Sequence, residues 1–169
     1  MSEDRRKTPR FPPQGYAPLR LRAEDAEDIT VLAACLQDAT LRVTDMAWQP
    51  KQRRFALVLN RFRWEDEARV DARGKLIRAV PHVRVPAGLH FDSVLKVQSS
   101  GIDRTDAKAP LELLSIIAEP LGEDPAAVLT LVFAGGGAVR LEVECVDAQM
   151  QDLGQPYPVR RVPKHKEVS

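Results

Sequence analysis

Between Val128 and Cys145, two apolar runs flank Gly135, Gly136 and Gly137. In the second run Val139, Leu141, Val143 and Cys145 share one parity, and Arg140, Glu142 and Glu144 share the other. That is the period of a strand with one buried face and one wet face. The first run, Val128 to Phe133, is apolar at both parities, so it belongs inside a sheet rather than at its edge. The glycines join strand to strand and predict a hairpin turn, where glycine supplies positive φ. A phosphate-binding loop would instead lead from a strand into a helix.

The clearest helix follows Asp25, a natural N-cap, with Glu27 and Asp28 in the first turn. Ile29, Leu32, Ala33 and Leu36 form its buried stripe, widened by Val31 and Cys35, and it ends near Asp38. The other segments read as strands: Tyr16–Ala23, Thr40–Trp48, Arg53–Trp64, Leu89–Ser99 and Leu111–Ala118. Leu76–Val85, broken by Pro81, is at best an edge strand. Parity changes near Thr44–Asp45 and Asn60–Arg61 predict bulges. Pro86, Ala87 and Gly88 read as a turn. Val146, Met150 and Leu153 share one helical face before Gly154, which predicts a short C-terminal helix.

Strands joined by short turns rather than by helices point to an α+β fold, mainly antiparallel sheet, with one helix in the N-terminal half and the short C-terminal one. A half-open barrel closed by that last helix, in the manner of PH-like domains, fits the order by analogy. Residues 16–155 are expected to form one domain. Residues 1–15 are expected to be a disordered basic arm, and 156–169 a basic, proline-containing tail.

Composition changes this picture little. The 169 residues are 44% hydrophobic and 29% charged with net charge +1, an ordinary globular balance. Residues 1–22 hold six basic against two acidic side chains and 156–169 four against one, so a mildly acidic body carries basic ends. No apolar run approaches the roughly 20 residues that span a bilayer. The charged start lacks the apolar core of a secretory signal. A cytoplasmic location, no membrane association and two reduced thiols, Cys35 and Cys145, are the expectations.

The chain contains no metalloprotease pattern, nucleophile elbow, P-loop or Cys-x-x-Cys pair. His82 and His90 with Cys145 lack the spacing of a metal site, so no metal and no cofactor is expected. Arg53, Arg54, Arg61 and Arg63, interleaved with Phe55, Phe62 and Trp64, are the most informative cluster. Arginine beside aromatics on a sheet suits phosphates and stacked bases. A charged outer face over a packed inner one is the simpler reading, because the aromatics alternate toward the core.

Several stretches also carry a resemblance: Leu21–Asp28, Leu36–Ala39, Arg53–Glu65, Gly101–Thr105 and Phe133–Cys145. Over roughly residues 19–155 the chain resembles a domain-of-unknown-function family of small alphaproteobacterial proteins. That implies a free-standing bacterial cytoplasmic protein and carries over no activity, cofactor or catalytic residue.

The expectation is a non-catalytic binding or adaptor module recognising a protein partner through Arg53, Arg54, Arg61 and Arg63, with the exposed edge near 82–85. The alternative is nucleic-acid binding by the same arginines and the basic ends. A third reading, an enzyme without a recognisable motif, requires His90, Asp103 or Glu144 inside a concave pocket. The oligomeric state is left open.

Overall fold

The computed structural model describes residues 17–66, 69–70, 72–73, 76–77 and 83–159. Strand β1 (Arg20–Ala23) leads into helix α1 (Ala26–Leu36), followed by β2 (Ala39–Arg42), β3 (Met46–Gln49) and β4 (Arg54–Phe62). The chain continues through β5 (Arg69–Val70), β6 (Leu76–Ile77), β7 (Val83–Phe91), β8 (Val94–Ser100) and β9 (Pro110–Pro120). It ends with β10 (Ala127–Phe133), β11 (Ala138–Val143), β12 (Ala148–Asp152) and β13 (Tyr157–Pro158). Nine strands run in the order β1-β12-β7-β4-β2-β9-β10-β11-β8, with β13 added to β7 and β3 to β4. Every pairing is antiparallel, and the sheet is not closed, because its end strands β1 and β8 do not pair. β5 and β6 form a separate two-stranded ribbon.

The expected hairpin forms as β10 and β11, and the doubly apolar β10 lies between β9 and β11. Gly135 and Gly136 turn it at φ 84° and 93°. Helix α1 starts on a reciprocal cap: the Asp28 N–H donates to Asp25 Oδ1, and the Glu24 N–H donates to Asp28 Oδ2. Ile29, Leu32 and Leu36 face the core, and the helix packs chiefly on β9. Val31 stays outside the stripe, 55% exposed.

Six sequence expectations are corrected. The segment expected as a C-terminal helix is strand β12, whose Ala148, Met150 and Asp152 are buried while Gln149 and Gln151 are exposed. An isolated helix of that length is marginal, whereas the strand gains ladders to both β1 and β7. The PH-like analogy falls with it, since the closing helix is absent from its place. Pro86, Ala87 and Gly88 are not a turn but the middle of β7. The Pro86 carbonyl accepts from Leu153 N, so the proline nitrogen faces the same side, near the break between β12 and β13. A missing N–H is tolerated there. Nor does β4 bulge at Asn60–Arg61, because its register with β7 is unbroken from Phe55 to Phe62. The parity change at Thr44–Asp45 is made by a 3₁₀ turn, Val43–Asp45. Finally, Tyr157–Pro158, inside the expected tail, pairs with Val83–Arg84. The expected arm at 1–15 and the basic residues from Arg160 onward lie outside the described residues.

Candidate functional site

The uninterrupted β4 decides where the arginines go. Phe55, Leu57 and Leu59 point into the core, and Arg61 continues their parity. Its guanidinium is fully buried. Nε and one terminal nitrogen meet Asp152 Oδ1 and Oδ2 at 2.8 and 2.9 Å, while the terminal nitrogens meet Glu65 at 2.7 and 3.0 Å. Asp152, itself 4% exposed, also accepts from the Leu19 N–H. Burial opposes charge on Arg61, but hydrogen bonds to Asp152 and Glu65 and their charges outweigh it, so the guanidinium binds its proton more tightly than usual. Burial likewise raises the Glu65 carboxyl, and Arg61 more than reverses this, leaving it below the usual carboxylate range. On α1, burial pushes the nearby Cys35 thiol up, partly offset by Arg61.

The four candidate arginines therefore do not share a face. Arg61 is interior and is withdrawn from any contact surface. Arg53 leaves the Pro50–Gln52 turn at φ 52° and reaches Glu144 at 3.0 Å. Arg63 is nearly buried beside Glu65. Arg54 alone of the four lines the large groove described below, its Nε 2.7 Å from Asp92 Oδ1. The edge proposed near 82–85 is also covered: Val83 and Val85 are buried, with β4 on one side and β13 on the other. His82 lies outside the described residues.

Phe62 points to the outer face yet is 1% exposed. The Arg84 guanidinium lies 3.8 Å from its ring centre, and Trp64 packs at 5.5 Å. Trp64 Nε1 donates to the Gln37 carbonyl. These aromatics are committed within the protein.

A concavity of about 590 Å³ crosses the outer face of β3, β4, β7, β12 and β1. The strand registers align Ala47, Ala56, His90, Gln149 and Arg22 in one row, and Val58, Gly88, Gln151 and Arg20 in the next. Small side chains at Ala47, Ala56 and Gly88 keep the floor low. At Gly88 a Cβ would stand 3.3 Å from Leu153 Cδ1. Arg54 and His90 both approach Asp92, His90 Nδ1 at 3.1 Å from Oδ2. Arg22 pairs with Glu24 at 3.0 Å. Arg20 has no acidic partner among the described residues.

The residues required for unrecognised catalysis are not brought together. His90 lines the groove; Asp103 and Glu144 do not. Asp103 accepts from the N–H and hydroxyl of Thr105, which hold its carboxyl below the usual range. Among the described residues no three His, Cys, Asp or Glu side chains gather as a metal site, and no helix is long and apolar enough to cross a membrane.

The model of a family described as "Protein of unknown function (DUF2948)" matches residues 19–165. The chain belongs to that family. No curated protein and no solved structure matches it.

In this DUF2948 chain, sequence reasoning missed the groove residues Arg20, Arg22, Gln149 and Gln151 and the partners of Arg61. The signal for β12 was its alternation: Ala148, Met150 and Asp152 at one parity, glutamines at the other. A helical stripe of Val146, Met150 and Leu153 runs through the same segment, and only the neighbouring ladders choose between the two periods.

Proposed function

We propose that this chain is a non-catalytic binding module that receives an extended, acidic segment of a protein partner on the outer face of its sheet. One observation carries the reading. A groove with a floor of Ala47, Ala56 and Gly88 is flanked by Arg20, Arg22 and Arg54, and Arg20 has no acidic partner among the described residues. An extended backbone needs a low floor, and alternating acidic side chains match arginines spaced along neighbouring strands. Of the arginines singled out from sequence, Arg54 belongs to this surface. Nucleic-acid binding is less favoured because Phe62 is buried and the half-buried Trp64 is packed on Phe62 and bonded to the Gln37 carbonyl, which takes both from use as a stacking platform.

The test is titration with a fluorescein-labelled peptide of alternating Glu and Ser. Saturable binding is expected. It should weaken by at least about tenfold with Arg20→Glu plus Arg22→Glu, as hydrogen-bonded charge pairs are lost, and disappear with Ala56→Trp, which fills the floor. Binding that ignores Ala56→Trp, or no binding at all, refutes the reading. Tighter, steeply salt-dependent binding of single-stranded RNA would replace it with the nucleic-acid reading.

A further inference from the structure

β3 carries residues to two places. Ala47 and Gln49 face the outer groove, while Met46 and Trp48 face inward. The inward pair borders a second, separate concavity of about 360 Å³ between β3 and β8. Both strands have a single ladder neighbour, β4 and β11 respectively, so here two edges face one another without pairing. The gap is closed at its ends. The Val94 N–H donates to the Arg53 carbonyl at 2.9 Å at one end, and the Thr44 N–H donates to the Ala107 carbonyl at 3.1 Å at the other.

Its apolar lining includes Met46, Trp48, Phe55, Val97, Ile102 and Val139. The glycine hairpin holds part of this wall. Gly101 turns at φ 67° so close to the hairpin that a Cβ would lie 2.6 Å from the Gly136 oxygen, and at Gly137 a Cβ would lie 3.0 Å from Ile102 Cγ1. The polar lining is Ser99 and Arg104. Arg104 donates from Nε and a terminal nitrogen to Ser99 Oγ, and no carboxylate pairs with it among the described residues. The adjacent Asp103 is turned back onto Thr105. A guanidinium carries five donors and stays charged, so Arg104 retains donors for an anion at the mouth of an apolar slot. The volume lies within the range of small-ligand sites, about 300–1,000 Å³.

We propose that this slot binds a small amphipathic carboxylate, a medium-chain acyl acid, with its tail between Trp48 and Val97 and its carboxylate on Arg104 and Ser99. This site is independent of the outer groove, and either can fail without the other. Charge complementarity selects the head group, and the apolar lining selects the tail.

The experiment titrates decanoate, below its micelle concentration, into Trp64→Phe protein, in which Trp48 is the remaining one of two tryptophans. The expected result is a saturable change in Trp48 emission. Decanol should bind at least about tenfold more weakly, and Arg104→Gln should cause a similar loss, as the charge-assisted hydrogen bonds go. Val97→Phe should abolish binding by filling the slot, without adding a tryptophan. Saturation-transfer NMR on the unsubstituted protein reads the same binding without the Trp64 change. No saturable signal by either method, equal binding of decanol, or unchanged affinity in Arg104→Gln overturns the proposal. So does a fluorescence response that persists in Trp48→Phe.

Discussion

Two Arg–Asp pairs start from the same strand and have opposite roles. Arg54 meets Asp92 at 2.7 Å and Arg61 meets Asp152 at 2.8 Å. The Arg54 and Asp92 side chains are 43% and 22% exposed; those of Arg61 and Asp152 are both 0%. The two arginines are seven positions apart, an odd offset, so strand parity sends one to water and one to the core. Outside, solvent screens the attraction, and Arg54 of the pair lines the outer groove. Inside, desolvation is severe and is offset only because Asp152, Glu65 and the Phe62 carbonyl satisfy the guanidinium together. The buried pair ties β4 to β12 across β7 and holds the chain before β1 through Leu19. It thereby sets the strands whose opposite parity builds the groove.

The largest expected effect comes from breaking the interior pair. Asp152→Ala leaves Arg61 with one carboxylate and Leu19 N–H without its acceptor, and should cost about 3–5 kcal/mol by urea denaturation. Arg61→Met with Asp152→Leu should recover part of that loss, because no charge is left fully buried, although Glu65 then keeps only Arg63 and the Leu19 N–H still lacks its acceptor. A double variant no more stable than Asp152→Ala would show that the ion pair, rather than its satisfaction, holds the strands.

Acid provides a finer test. The folded Glu65 carboxyl lies below its usual range, so the unfolded state binds more protons as pH falls. Its contribution is complete above the unfolded pKa and is lost as pH falls through the folded pKa. Glu65→Gln should therefore flatten the acid limb of a stability–pH profile. A limb unchanged in that variant would remove Glu65 from the coupling. The smallest effect belongs to the exterior pair: Asp92→Asn should change unfolding stability by no more than about 1 kcal/mol. A larger loss would erase the contrast between the two ends of β4.

Legibility followed the local signal. The β10–β11 hairpin was readable because the glycine turn and the period-two alternation of its second strand agree. The cap at Asp25 and the stripe Ile29, Leu32 and Leu36 specified α1 in the same way. Arg61 was unreadable as a core residue because arginine is almost never fully buried unless paired, and its partner Asp152 lies 91 positions away. Pro86 looked like a turn residue because its tolerance in β7 depends on what lies beside it.

By itself, the sequence determined element types where composition and period pointed the same way, and with them an α+β chain dominated by antiparallel strands. Tertiary structure alone decided that Val146–Leu153 would ladder instead of coil, that Arg61 would face inward, and that small residues from β3, β4 and β7 would share a groove floor with arginines from β1. Periodicity is a property of neighbours in the chain. Ion-pair satisfaction, ladder completion and groove lining are properties of neighbours in space, and here those neighbours come from strands far apart in sequence.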